Sequence, residues 1–441
     1  MRHAFAFLAA AAAATTLVAG AAASDAGSSS PLRLTSSADI QRYLTSIGVD
    51  PRTVVVQRGH RNYAGPNCPG KRWNCTTARR VVQISYHQSA NVFECTPAGL
   101  GTNPATGTCV IVQTNTTAAN VAVCRMQTTA PAVSQSCSIT QTNQAGANRA
   151  TVDLLARLRG ASPQEGQQTV DVTQSNAVGL NNLNSLQRID GFLSGGVVQK
   201  QEGHQDLTAG QTSMSGNNNS QVKQFQVLRG TASVHDGLLQ QQNADDEGPN
   251  LDADVDQEST SGRNSSLLDQ GTNYNLLATS RAGPVEQRQG SPTGGLKGNI
   301  DQSSSQPSTS TNFQDEDLNA HATTPAGTLT QVQFGPAECC TEQLGNSNNV
   351  FDINQESMLF SDGGTQSSLI LGSCITSGTC TVDQVQRTDD DFETNSDSCT
   401  ASFESTCAVF IGIVCVPEEG CFPTEGGPSI LDRRTAAARE R

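Results

Sequence analysis

The pattern Gln-x4-Gly-x-Asn recurs through the middle of this chain, and any fold must give its copies equivalent places. Copies begin at Gln113, Gln141, Gln174, Gln211, Gln257 and, in degraded form, Gln289. Four keep both partners, at Gly146/Asn148, Gly179/Asn181, Gly216/Asn218 and Gly262/Asn264. The Gln113 copy has Ala118 and then Asn120, whereas the Gln289 copy keeps Gly294 but has Leu296 in the Asn place. Three copies close with a further Gln six residues on, at Gln187, Gln224 and Gln270. This predicts stacked strand-turn-strand rungs.

Parity carries the physical argument, because residues two apart on a strand share a face. With each Gln inward, the inward set before the turn reads Cys109, Ile111, Gln113; Cys137, Ile139, Gln141; Val170, Val172, Gln174; and Leu251, Ala253, Val255, Gln257. Beyond the turn it reads Asn148, Ala150, Val152; Asn181, Leu183, Ser185, Gln187; Asn218, Ser220, Val222, Gln224; and Asn264, Ser266, Leu268, Gln270. Outward places are polar, as at Asp252, Asp254 and Asp256, and Gln135, Gln168 and Gln205 fall on the inward face too. Rungs about 4.8 Å apart let each buried amide bond its equivalents above and below. The motif glycine is expected to supply a positive-φ turn residue.

The chain has only 35% hydrophobic and 4% aromatic residues, which leaves disorder or a repetitive fold rich in backbone and amide hydrogen bonds. A net charge of −14, with no basic stripe, gives nucleic-acid binding no electrostatic support.

The units resemble curlin repeats, those of the bacterial curli amyloid fibre subunits, whose pattern is Ser-x5-Gln-x4-Asn-x5-Gln. The Asn-x5-Gln half is kept at Asn181/Gln187, Asn218/Gln224 and Asn264/Gln270. The Gln-to-Asn half is two residues longer, an even insertion that preserves the inward set, and the leading Ser is replaced by Gln135, Gln168 or Gln205. The likeness covers under half the chain. It implies a β-solenoid, extracellular placement and a matrix or fibre role.

The start reads as a secretion signal, with Arg2 and His3 before an apolar run from Ala4 to Val18 and small residues at Ala21–Ala23. The expected divisions are a signal peptide at 1–23, a Cys-containing cap at 24–106, curlin-like repeats at 107–302, a polar loop or degenerate repeats at 303–336, a Cys-rich β region at 337–428 and a basic tail at 429–441. A short helix is expected from Ser37 to Ile47. The 14 cysteines suit an oxidising compartment as disulfide candidates. They are Cys68, Cys75, Cys95, Cys109, Cys124 and Cys137, then Cys339, Cys340, Cys374, Cys380, Cys399, Cys407, Cys415 and Cys421. A Cys68–Cys75 bridge would pin one loop. Cys109 has two candidate partners: Cys137 along the stack, or Cys124 in its own rung, the latter only if the rung is tighter than the ~10 Å between packed sheets.

The six His residues lack metal-ligand spacing, and no catalytic or phosphate-binding motif stands out. Asp245-Asp246-Glu247 and Asp389-Asp390-Asp391 read as solvated acidic faces. No cofactor, metal or enzymatic role is expected, and no membrane span after signal cleavage. The expectation is an all-β solenoid of strand-turn-strand repeats with Gln/Asn ladders and disulfide-rich caps. Its expected role is a secreted structural protein that self-assembles or meets cell-surface or matrix components. A secreted adhesin is the alternative, and a β-helix enzyme acting on carbohydrate ranks last.

Overall fold

A computed structural model describes residues 105–244, 250–291 and 294–323 without a break, with shorter segments between 41 and 97 and between 329 and 423. The expected signal peptide, the Asp245-Asp246-Glu247 and Asp389-Asp390-Asp391 clusters, Cys68 and the basic tail lie outside the described residues. In the segment expected to be a helix, Gln41, Arg42 and Thr45 are helical, and the Thr45 hydroxyl donates to the Gln41 carbonyl at 2.9 Å.

The chain winds as a β-solenoid. Successive strands alternate between a 14-stranded first sheet and a 12-stranded second sheet packed face to face. Ala105–Asn115, Ala132–Asn143, Gln164–Asn176, Val198–Ser213 and Leu251–Ser259 follow one another in the first sheet, while Asn120–Ala130, Asn148–Leu158, Asn181–Ser194, Asn218–Val234 and Asn264–Ser280 follow in the second. Pairing is parallel and in register from one rung to the next. The alternation read from the sequence holds, because every inward residue of the motif copies is 4% exposed or less. Between the sheets lies an aliphatic seam in which Ile111, Ile139, Val170, Val172 and Val255 of the first sheet meet Val152, Leu154, Leu183, Val222 and Leu268 of the second.

Two expectations about the motif need correction. Gln289 does not begin a sixth copy, since it pairs in register with Gln242 and Gln333. The partner of Gln257 is Gln302. From Gln302 the turn reaches the second sheet one residue sooner than in the other copies, and Ser308 takes the place of Asn opposite Asn264. The stack also extends past both ends of the 107–302 span. Gln83 lies beneath Gln113 and Asn91 beneath Asn120, while Ser308–Thr323 and Ser347–Ser361 add further second-sheet strands.

The motif glycines do not supply positive φ; among the described residues that conformation occurs at Gly160, Gly195, Gly196, Asn243, Gly290 and Gly295. Gly146, Gly179, Gly216 and Gly262 are needed because the turns stack backbone on backbone. A Cβ at these positions would lie 2.2, 2.2, 1.8 and 1.8 Å from the carbonyl oxygens of Ala118, Gly146, Gly179 and Gly216 respectively. The residue two after the Gln staples the same turns. Asn143 accepts from the Gly146 N–H at 2.9 Å and donates to the Ala118 carbonyl below at 2.7 Å, and Asn176 repeats this with Gly179 and Gly146 at 2.8 and 2.6 Å. In the next two copies serine hydroxyls serve, at Ser213 and Ser259.

The sequence interval between stacked motif glutamines grows from 28 to 46 residues along the chain. The added residues enter away from this turn, as second-sheet strands lengthen from 11 residues at Asn120–Ala130 to 17 at Asn218–Val234. At about 4.8 Å per strand and 3.3 Å per residue, the body is a slab roughly 50 Å tall that widens to roughly 55 Å. At the C-terminal end the direction reverses. Phe392–Thr400 pairs antiparallel with Thr379–Arg387, and Cys407–Val416 lies antiparallel to both Thr365–Thr376 and Gly420–Pro423.

The close turn stacking has a direct test. Gly216→Ala is expected to cost about 2–4 kcal/mol in chemical denaturation, because the new methyl meets backbone that cannot swing aside. Gly210→Ala, which meets nothing within 4 Å, is the matched control and should change stability by about 0.5 kcal/mol or less.

Candidate functional site

The interior amides form the most organised polar feature of the molecule. In the first sheet, Gln113, Gln141, Gln174, Gln211, Gln257 and Gln302 each donate from Nε2 to the Oε1 of the glutamine one rung below, at 2.6–2.7 Å, starting from Gln83. The second Nε2 hydrogen crosses to a backbone carbonyl of the facing strand, for example Arg149 at 3.0 Å from Gln141 and Asn182 at 3.1 Å from Gln174. The oxygen is taken by the next rung. Every hydrogen-bonding group of a mid-column glutamine is thereby satisfied without water.

The asparagines run the other way. Asn91, Asn120, Asn148, Asn181 and Asn218 each donate from Nδ2 to the Oδ1 of the next rung up, ending on Asn264, at 2.9–3.0 Å. Their other hydrogen goes to the end of the first-sheet strand one rung above, as from Asn148 to the Ser175 carbonyl at 2.8 Å. One column therefore ties sheet to sheet within a rung, and the other ties each rung to the turn of the next.

The closing glutamines form a third column, in which Gln224 donates to Gln187, Gln270 to Gln224 and Gln314 to Gln270 at 2.8–2.9 Å. It begins at Gln187 because Leu154 and Met126 hold the same register place in the narrower rungs below. Gln135, Gln168 and Gln205 form a fourth. Two more columns escape the sequence motif: Gln164, Gln201, Gln242, Gln289 and Gln333, and Gln199, Gln240, Gln287 and Gln331. They lie beyond the motif in the widened part of the slab, where intervals vary most. Where a column stops against a residue without an amide, its last acceptor is orphaned. Among the described residues, Gln205 Oε1, above which stands Leu251, and Gln314 Oε1, whose register partner is Ile353, have no donor.

The cysteines do not pair as either alternative for Cys109 expected. Cys109 is bonded to Cys95 across the sheets, with Cα atoms 6.3 Å apart, so the sheets approach far closer here than ~10 Å. Cys109 lies early in its strand and faces the second-sheet strand that precedes it. Cys124 and Cys137 are buried free thiols, and Cys75 is disulfide-bonded. Among the eight C-terminal cysteines the strand register sets Cys380 opposite Cys399 and Cys415 opposite Cys421.

Two polar features depart from the ladder rule. Insertions at 243–250 and 290–295 interrupt the first sheet. Beneath the first, the Asn243 amide binds Gln226 at 2.9 Å and the Tyr274 hydroxyl at 2.5 Å, a closed buried knot. Glu316 occupies an inward place, 3% exposed, and accepts from Gln355 at 2.7 Å. Burial pushes its carboxyl up to about 8, opposed by the Gln355 hydrogen bond and helped by Asp315. On the outer faces Asp254, Asp256, Asp315 and Asp317 are also raised, first by partial desolvation on the crowded sheet and then by neighbouring carboxylates.

No family model, curated protein or solved structure matches this chain.

Two outcomes test the interior. Gln174→Leu leaves Gln141 Oε1, Gln211 Nε2 and the Asn182 carbonyl each short of a partner, and should cost about 3–5 kcal/mol in denaturant unfolding. Thr173→Val, one residue away on the outer face, should cost about 0.5 kcal/mol or less. For Glu316 the folded-state value lies above that of the unfolded chain. Its contribution is thus fully present below about 4.5 and lost as pH rises to about 8. Melting temperature should fall across that window, and Glu316→Gln should flatten the fall and raise the melting temperature at pH 8.

Proposed function

We propose that this protein is a secreted extracellular structural component, a rigid unit of matrix, sheath or fibre built on curlin-like repeats. The single observation that supports this most is the unbroken glutamine column from Gln83 to Gln302, with each member essentially inaccessible to solvent or closed by the next rung. Such an interior supplies stiffness and resistance to solvent entry, properties that suit a load-bearing extracellular part. The cross-sheet Cys95–Cys109 bond supports an oxidising destination. No enzymatic role is proposed.

A second reading, a self-contained adhesin or ligand-binding slab, draws on the antiparallel strands at the C-terminal end. Parallel growth in the same register cannot continue through a strand of opposite direction. A flat face with half-buried Asn182 and exposed Asn219, bonded to each other at 2.9 Å, would then be the working surface.

Electron microscopy of the mature protein under native conditions separates the two. Filaments giving fibre diffraction near 4.7–4.8 Å are the outcome expected for the structural role. Monomeric slabs that bind cells or glycans would replace it with the adhesin reading.

A further inference from the structure

We propose that Cys124 and Cys137 form a second cross-sheet disulfide, stacked one rung above Cys95–Cys109. The register makes the two pairs equivalent. Cys124 stands directly above Cys95 in the second sheet, and Cys137 stands directly above Cys109 in the first. The lower pair is bonded with Cα atoms 6.3 Å apart, inside the range a disulfide accepts. Parallel in-register stacking carries that spacing up by one rung. Proximity supports the same pairing, since the two upper thiols are buried in one apolar cluster and Cys124 acts directly on the Cys137 thiol.

The rungs also suggest why the bond belongs here. In this narrow end Met126 and Leu154 occupy the register places where Gln187, Gln224 and Gln270 later tie the second sheet together. Two stacked cross-links would join the sheets where that amide column is missing. Burial pushes the Cys137 thiol well up, with Cys124 beside it acting in the same direction, so the closed rung disfavours the thiolate that must attack. The bond therefore forms while the rung is still open. One Cys thiolate attacks a small-molecule disulfide such as oxidised glutathione, forming a mixed disulfide and releasing one glutathione thiolate. The second Cys, as thiolate, attacks the protein sulfur of the mixed disulfide and releases the other glutathione. Two electrons thus pass to the oxidant, and the two thiol protons end on the released thiols or in buffer. Once the rung closes, the product is shielded from reductant.

The test uses the mature full chain, refolded in a glutathione redox buffer. Free thiols are then blocked with N-ethylmaleimide in denaturant, and the unreduced protein is digested with trypsin. Cleavage after Arg80, Arg125 and Arg149 places Cys95, Cys109 and Cys124 on one peptide and Cys137 on the next. The expected product is those two peptides joined by one disulfide, fragmenting to show Cys124 bonded to Cys137 and Cys95 to Cys109. Modification of both Cys124 and Cys137 by N-ethylmaleimide, or a Cys109–Cys137 bond, overturns the proposal. If Cys95–Cys109 is closed while Cys124 and Cys137 are modified, only this inference fails. If all four are modified, the oxidised extracellular reading loses its support as well.

Discussion

A primary amide has two hydrogens to donate and an oxygen that must accept, and this fold is organised around placing all three in the absence of water. For a mid-column glutamine, one hydrogen goes down the stack, one goes across to the other sheet, and the oxygen receives from above. A buried amide with any of these unmet costs on the order of 1–3 kcal/mol per group. The repeat is therefore conditional: a glutamine is tolerable inside because its neighbours one rung away are also glutamine. That condition explains how a chain with 4% aromatics holds two sheets together with a thin aliphatic seam.

The condition is local to one edge of the slab. Around the Gln–turn–Asn corner, the glutamine column, the turn staples and the asparagine column interlock, and the corner length stays within one residue of the motif's from Gln83 to Gln302. At the opposite edge each rung is free to grow, which is how the spacing rises from 28 to 46 residues while register at the corner persists. Widening exposes new interior positions, and these are again filled by glutamine columns, including those through Gln242 and Gln240. The two insertions at 243–250 and 290–295 sit in this freer half.

Strand parity and the ladders at the corner are legible in the sequence because both depend on short, fixed offsets. Gln141, Gln174 and Gln211 declare themselves by a glycine and an asparagine within the next seven residues. Gln83 and Gln302 escape the motif because their turns differ by one residue and carry no glycine, although their side chains do the same work. Gln289 is misleading for the converse reason: a glycine at the right distance imitates a turn, while the true register partner is Gln242. The motif glycines are conspicuous in the sequence, but their cause is not. A clash with the turn below exists only between rungs, and no single-strand reading contains it. The same limit hides the Cys95–Cys109 bond, because which strand faces Cys109 depends on the path of the chain between sheets.

The two kinds of column have opposite polarity. Glutamine donors point toward the N-terminal end of the stack, whereas asparagine donors point toward the C-terminal end. At the lower end of the asparagine column, Asn91 Oδ1 is accordingly a buried acceptor with no donor among the described residues. That position is not an open end, because Arg61–Ala64 and then Asn74–Thr76 continue the second sheet beneath Asn91–Cys95. At the upper end antiparallel strands close the parallel stack. The two ladders thus run with opposite polarity through one stack, and at both ends further strands of the same chain cover them.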